Sequence, residues 1–252
     1  MATLASPRPA SADEGFFRNT AIAMAAVIVA GFSLNLAAGR SSFSLPPIFH
    51  LHAFVFFGWT ALYVTQNLLV ARGSVALHRR LGWLALGWIP VMVVLGFAMT
   101  LYSIRERGGP FFFDQNSFLI GNPLDLLTFA GLAGAGITLR RRTDWHRRLM
   151  YCAMASLTGP GFGRLLPMPL MVPWSWWWAA LVMPLIFPVI GMIADKRRTG
   201  RVHPAWRWGA GAMAGMFFLG EVIAYSPVGY AITHAVVDGT PGAARPMHAY
   251  IP

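Results

Sequence analysis

The chain has 252 residues, of which 56% are hydrophobic and only 12% are charged, and its formal net charge is +11. A soluble domain normally has about 25% charged residues, so the composition excludes an ordinary water-soluble fold. The single cysteine, Cys152, excludes an internal disulfide framework. The basic residues lie in short segments between apolar runs. This placement favours the lipid bilayer and its anionic headgroups as partners and argues against nucleic acid.

Seven apolar runs are long enough to cross a hydrocarbon core of about 30 Å as helices. Lipid satisfies no backbone hydrogen bonds and the runs do not alternate in period two, so we expect an all-α bundle of seven transmembrane helices. The membrane domain is predicted at 16–237, between flexible tails at 1–15 and 238–252. The predicted spans are Asn19–Ala38, Pro47–Ala71, Arg80–Tyr102, Pro123–Leu139, Arg148–Leu166, Trp174–Ala194 and Trp208–Ala235.

The distribution of arginine predicts the orientation of this bundle. Cytoplasmic loops of membrane proteins are enriched in Lys and Arg. We therefore expect the N-terminus in the cytoplasm and the C-terminus outside. The N-terminal segment and the alternate loops hold all the basic residues except Arg40, Arg105, Arg107, Arg164 and Arg245.

Two segments share a basic turn, the sequence His-Arg-Arg-Leu and an apolar run, which predicts a repeated hairpin over 47–103 and 121–167. The histidines would lie at equal depth, one in each repeat, as axial ligands for a b-type haem or another transition metal. The neighbouring arginines would bind haem propionates or lipid phosphate. Alternatively, both segments only anchor helices at the headgroups. The residues concerned are His78, Arg79 and Arg80 in the first repeat and His146, Arg147 and Arg148 in the second.

Polar side chains of the second span lie along one stripe. At about 100° per residue, His52, Trp59, Tyr63 and Gln66 share a face, whereas His50 lies nearly opposite. Lipid cannot satisfy their donors, so we expect the stripe to face the bundle. There it either lines a cofactor or substrate site or bonds to neighbouring helices.

Three more residues within apolar runs are candidates. His234 ends the seventh span at the depth of His52, which makes these two histidines a second possible metal pair. Glu221 lies near the middle of that span with Tyr225 one turn on, a pair suited to catalysis or proton relay, or to a helix-bridging carboxyl. Asp125 follows Asn-Pro in "GNPLD", which predicts a capping role in the first turn of the fourth span.

The motifs are His52 followed by Gln66, His78-Arg-Arg-Leu-Gly and His146-Arg-Arg-Leu-Met. Together they resemble a widespread family of bacterial multi-pass membrane proteins of unknown function. The likeness covers about residues 45–166. It implies an architecture, a set of positions and the bacterial inner membrane, and no reaction. In layout alone, the histidines are similar to those of di-haem transmembrane cytochromes.

Three functions stay open on the sequence, and it does not decide whether the protein is an enzyme. The first is a redox protein that passes electrons between a quinone and a partner protein through haem or another metal. The second is a transporter or membrane enzyme with a polar cavity around Glu221. The third is a non-catalytic subunit or assembly factor, in which histidines and arginines only anchor helices and lipids.

Overall fold

The structure, a computed structural model, describes residues 12–251, and within them it is entirely helical. The N-terminal tail predicted at 1–15 therefore lies mostly outside the described residues, and the first helix already begins at Ala12. The ten helices are α1 (Ala12–Ala37), α2 (Pro47–Ala71), α3 (Val75–Gly82), α4 (Leu84–Arg107), α5 (Gln115–Thr138), α6 (Thr143–Ser156), α7 (Gly159–Leu165), α8 (Ser175–Thr199), α9 (Pro204–Ala224) and α10 (Pro227–Val237).

Five helices are each long and apolar enough to cross a membrane, namely α1, α2, α4, α5 and α8. Helices α9 and α10 are long and apolar enough only when they are counted as one span, and the chain bends by 75° between them. The structure therefore has five or six candidate spans instead of the predicted seven. The difference arises at the fifth predicted run, which is divided into α6 with 14 residues and α7 with 7. A helical, multi-pass protein in contact with the lipid bilayer is confirmed.

Contacts between the helices define two ends of the bundle. Helices α6 and α7 together run from one end to the other. His146 lies against Gly136, near the end of α5, whereas Gly163 lies beside Phe113, just before α5 begins. The basic end comprises loops 72–74, 139–142 and 200–203, and the tail end comprises loops 38–46, 108–114 and 166–174 with the C-terminal segment 238–251.

Helix α5 is central and packs against α4, α6 and α9. Small residues allow the closest approaches between helices. A Cβ added to Gly31 of α1 would overlap the carbonyl oxygen of Gly161 in α7. Backbone contact of this kind is a common way for helices to associate in lipid, where no hydrophobic force holds them together.

The C-terminal segment 238–251 is folded against the tail end, which differs from the predicted flexible tail. The backbone N–H of Gln115 donates to the Met247 carbonyl at 2.8 Å. The side-chain amide of Gln115 donates to the Gly242 carbonyl at 3.0 Å. Arg245 donates to carbonyls of loop 108–114. The segment is held mainly by hydrogen bonds between side chains and backbone groups, which its polar composition does not reveal.

Candidate functional site

Helix α2 turns its polar stripe toward the bundle, as the sequence predicted. Trp59 and Tyr63 are only 2% and 5% exposed, while His52 and Gln66 are half-buried and His50 is exposed. Several buried atoms of this stripe have no hydrogen-bond partner among the described residues. They are Nδ1 of His52, Nε1 of Trp59 and both polar atoms of the Gln66 amide. A buried polar group without a partner costs about 1–3 kcal/mol, so the stripe is arranged for a bound group or for water.

His78 and His146 face each other near the basic end. Their ring centroids are 6.2 Å apart, with the ring planes at 77°. Each histidine is the fourth residue of its helix, α3 for His78 and α6 for His146. The two copies of His-Arg-Arg-Leu thus bring equivalent imidazoles together across the interface between the two hairpins.

The atoms around this pair leave nitrogen lone pairs free. Nδ1 of His146 donates to the Gly136 carbonyl at 2.8 Å, which orients the ring and leaves Nε2 available. Nδ1 of His78 is buried without a partner among the described residues. Burial lowers the pKa of His78, and His146 beside it lowers it further, so the ring is neutral at pH 7. Gln66 lies next to Gly82 at the end of α3. We call His78, His146 and Gln66 the basic-end histidine site.

Arg148 does not bind a propionate or phosphate in this arrangement, contrary to the expectation from the sequence. It is 5% exposed, and all three of its nitrogens donate hydrogen bonds. Nε and Nη2 donate to the two carboxylate oxygens of Asp195 at 2.9 and 2.8 Å, and Nη1 donates to the Asp144 carbonyl at 2.9 Å. Trp206 Nε1 donates to the same Asp195 at 2.8 Å. Each nitrogen of Arg148 is thus engaged inside the protein and the side chain is buried, so Arg148 is not presented to a ligand.

The other arginines of the repeats differ from one another. Arg147 forms an ion pair with Asp13 and lies over the Phe17 ring at 5.0 Å. Arg79 and Arg80 are both exposed at the basic end. Of these four arginines, Arg79 and Arg80 are therefore the two that are exposed to an anionic group.

Sequence reasoning missed Asp195, which is 2% exposed and holds the network at the basic end. It lies inside "ADKRR", where it also approaches Arg198 at 3.5 Å. A lone acid at the start of a basic run was the available signal. Its partner Arg148 is 47 residues away, so no local spacing indicated the pair.

His52 and His234 are not in contact in the part of the chain that the structure describes. His52 stacks on Phe56 and lies within electrostatic range of Arg164. His234 is exposed on α10, where it lines a cavity of about 290 Å³ with Asp238 and other tail-end residues. Within residues 12–251 no group of three or more His, Cys, Asp or Glu side chains is placed to hold a metal ion.

Glu221 lies one turn from the end of α9, not at the middle of a span, because the helix stops at Ala224. It is 9% exposed, and its Oε1 has no hydrogen-bond partner among the described residues. Tyr225 is bonded to other groups. Its hydroxyl donates to Asp114 at 2.7 Å and accepts from Ser117 at 3.2 Å. The side chains of Glu221 and Tyr225, a candidate pair in the sequence, are therefore not joined by a direct hydrogen bond.

Asp125 is not a capping residue, because α5 begins at Gln115 and contains Pro123 in its interior. The sequence signal failed since a proline inside a membrane helix is tolerated when neighbours compensate for the lost bond. Asp125 instead lies near the middle of α5 and interacts electrostatically with Glu221. The bundle thus holds two acidic side chains on facing helices.

Comparison of the chain with protein-family models, with curated proteins and with solved structures finds no match. The function is therefore inferred from two clusters. One is the basic-end histidine site, and the other is the set of acidic groups that α5 and α9 bring together at the tail end.

Proposed function

We propose that this chain is a multi-pass protein of the bacterial inner membrane that binds a b-type haem through His78 and His146. The separation of the two rings carries the proposal. Two imidazoles bound to one haem iron through bonds of about 2.0–2.1 Å would have ring centroids roughly 6 Å apart. The rings of His78 and His146 are 6.2 Å apart without any change in either helix.

The donor set favours haem over a bare metal ion. A structural metal ion usually takes about four protein ligands, and no cluster of three or more His, Cys, Asp or Glu occurs within residues 12–251. Haem iron needs only two axial ligands from the protein, and when bound it supplies one-electron chemistry. Gly136 holds the His146 ring through its carbonyl, as an outer hydrogen bond commonly does for a ligating histidine.

The remaining groups of the site have defined tasks in this proposal. The unpartnered Gln66 amide and Trp59 indole lie on the α2 stripe and provide donors and an acceptor inside the bundle. Arg79 and Arg80 are exposed cations beside His78, and they suit propionates or lipid phosphate. A quinone or a partner protein would exchange the electron with this site.

The proposal also includes a topology. The basic end lies in the cytoplasm, because cytoplasmic loops carry the excess of Lys and Arg. In this proposal the pair α6–α7 is a broken fifth pass and α9 is the seventh, and the contacts of both with the two ends of the bundle support the assignment. The tail end and residues 238–251 are then outside.

The test is the visible spectrum and the metal content of the purified full-length protein, expressed with haem supply. We expect a Soret band in the native protein and none in His78→Ala or His146→Ala. The matched control is His50→Ala, which removes an exposed histidine of α2 and keeps the band. A folded native protein that contains no haem overturns the proposal.

A ligand exchange separates ligation from folding. His78→Met retains an axial donor, so this variant should keep haem while its spectrum changes and its reduction potential rises. A native-like spectrum in this variant would show that His78 is not a ligand. Haem loss from His78→Ala with an unchanged melting temperature would assign the ring to binding and not to structure.

A further inference from the structure

Acidic and hydroxyl side chains form a descending series from the tail end into the bundle. We call Asp114, Ser117, Tyr225, Glu221 and Asp125 the acidic ladder. Asp114 precedes α5 and Asp125 lies 11 positions further, which corresponds to about 16 Å along a helix axis. Glu221 lies between these two depths. The ladder therefore joins the surface to the centre of the bundle.

Hydrogen bonds connect the upper part of the ladder in one direction. An ionised carboxylate only accepts hydrogen bonds, so Tyr225 donates to Asp114, at 2.7 Å. The Tyr225 oxygen is then free to accept from Ser117, at 3.2 Å. Ser117 also lies beside the Glu221 carboxyl. The Ser117 and Tyr225 hydroxyls thus both donate toward Asp114, and the Ser117 oxygen lies beside the Glu221 carboxyl.

The lower part of the ladder consists of two carboxyl groups without a cation. Close packing of α5 and α9 brings them near each other, since a Cβ on Gly220 would lie 3.6 Å from the Cα of Gly121. Helix α8 contributes only the indoles of Trp176 and Trp177 beside Glu221.

The charged groups nearest to the ladder lie at its surface end. Arg245 and His248 are close to Asp114. No Arg, Lys or His is found to interact with Glu221 or Asp125 among the described residues. A carboxyl group in a low dielectric without a cation beside it is held in its neutral, protonated form. Both acids of the lower ladder are in this situation.

We propose that Asp125 and Glu221 are both protonated in the resting protein and that Ser117, Tyr225 and Asp114 connect one of these two protons to water outside the membrane. Release begins when the Glu221 carboxyl gives its proton to the Ser117 oxygen. Ser117 passes its own hydrogen to Tyr225, and Tyr225 passes its hydrogen to Asp114. Asp114 then gives one proton to water, and one negative charge stays on the carboxyl pair. Uptake is the reverse sequence. Neither direction needs the haem site.

Infrared spectroscopy of the protein in phosphatidylethanolamine–phosphatidylglycerol vesicles tests whether the two carboxyl groups are protonated. A protonated carboxyl has a C=O absorption that a carboxylate lacks. We expect this absorption in the native protein, and we expect part of it to disappear in Glu221→Gln and in Asp125→Asn. Both changes keep side-chain size. Spectra of native protein and both variants that are identical in this region would overturn the proposal.

A pH step applied outside the vesicles tests the path. In Tyr225→Phe the hydroxyl chain is cut, so the carboxyl signal should respond roughly tenfold or more slowly than in the native protein, as expected for loss of a positioned proton-transfer group. The matched control is Tyr230→Phe, which removes a neighbouring hydroxyl whose ring lies 6.3 Å from that of Tyr225. An unchanged rate in Tyr225→Phe, or equal slowing in both variants, would refute the path.

Discussion

Arg148 and Asp195 form a two-point ion pair that is almost completely buried at the basic end, with side chains 6% and 2% exposed. The pair joins α6 to α8, and Trp206 adds α9 through its indole N–H. Three segments far apart in sequence thus meet at one carboxylate. The pair defines how the second hairpin packs against the remaining helices.

Replacing Asp195 by Asn should strongly destabilise the protein. The change leaves the buried Arg148 cation without its counter-charge, a loss that costs about 3–5 kcal/mol in buried pairs. Thermal unfolding in detergent, followed by tryptophan fluorescence, measures the effect. Arg79→Gln is the control, because Arg79 is exposed and its replacement should change stability by less than about 0.5 kcal/mol.

The double variant Arg148→Met with Asp195→Leu provides a second check on the ion pair. Since it removes both charges, it should be more stable than Asp195→Asn alone. If Asp195→Asn melted at the temperature of the native protein, the pair would have no structural importance.

Gly191→Ala should also destabilise the protein, through packing alone. A Cβ at this position of α8 would overlap the ring of Trp206, which is 0% exposed and cannot move aside. Overpacking of this kind costs about 1–3 kcal/mol. Gly211→Ala in α9 is the matched control, because nothing lies within 4 Å of its added Cβ. That variant should be neutral or stabilised by about 0.5–1 kcal/mol. Equal melting temperatures for the two variants would contradict the packing.

Cysteine labelling should reveal seven passes. The native Cys152 is 0% exposed, so it should not react. With a membrane-impermeant maleimide on intact spheroplasts, Ser42→Cys and Leu170→Cys should be labelled, because both positions are exposed at the tail end. Ser74→Cys and Arg141→Cys should need permeabilised membranes. Labelling of positions 141 and 170 from the same side would show that α6–α7 does not cross.

The Asp144–His203 contact at the basic end should make stability depend on acid pH. Burial raises the pKa of Asp144, but hydrogen bonds from His203 and the backbone outweigh it and hold the value below the usual range. The pKa of Asp144 is lower in the folded protein than in the unfolded chain, where it is about 3.9, so the contact stabilises the fold above that pH. This stabilisation is lost as the pH falls through the pKa of the folded protein.

The Asp144→Asn variant measures this contribution. It should melt slightly below the native protein at neutral pH, by less than about 1 kcal/mol because the pair is solvent-exposed. The difference should vanish in strong acid. Asp238→Asn, which removes a carboxylate at an exposed position, is the control. A constant gap between Asp144→Asn and native protein down to strong acid would exclude the ionic contribution.

The helices were predictable where local signals were strong. The predicted second span coincides with α2, Pro47–Ala71, because a proline opens the helix and Gly73 with φ +75 follows its end. The inward direction of its polar stripe was also predictable, because lipid cannot satisfy polar side chains and they must therefore face the bundle. The facing of His78 and His146 followed from an internal repeat that placed both at the same position of equivalent helices.

Other features depended on contacts that no local pattern contains. The start of α5 was misplaced at Pro123, because a capping signal and a tolerated internal proline look alike in sequence. The Arg148–Asp195 pair and the Ser117–Tyr225 bond join residues 47 and 108 positions apart. The bend after Ala224 was missed, since the apolar composition continues through it.

That 75° bend governs access to the tail end. Helix α10 changes direction at this bend, packs against α4 and α5, and carries the final residues back over loop 108–114, where Ala249 N–H donates to Asp114 at 2.6 Å. The C-terminal segment 238–251 therefore covers Asp114, the first residue of the acidic ladder. Shortening the protein after α10 would expose Asp114 to bulk solvent and leave every candidate span in place, so the opening of the proton path is separable from the membrane scaffold.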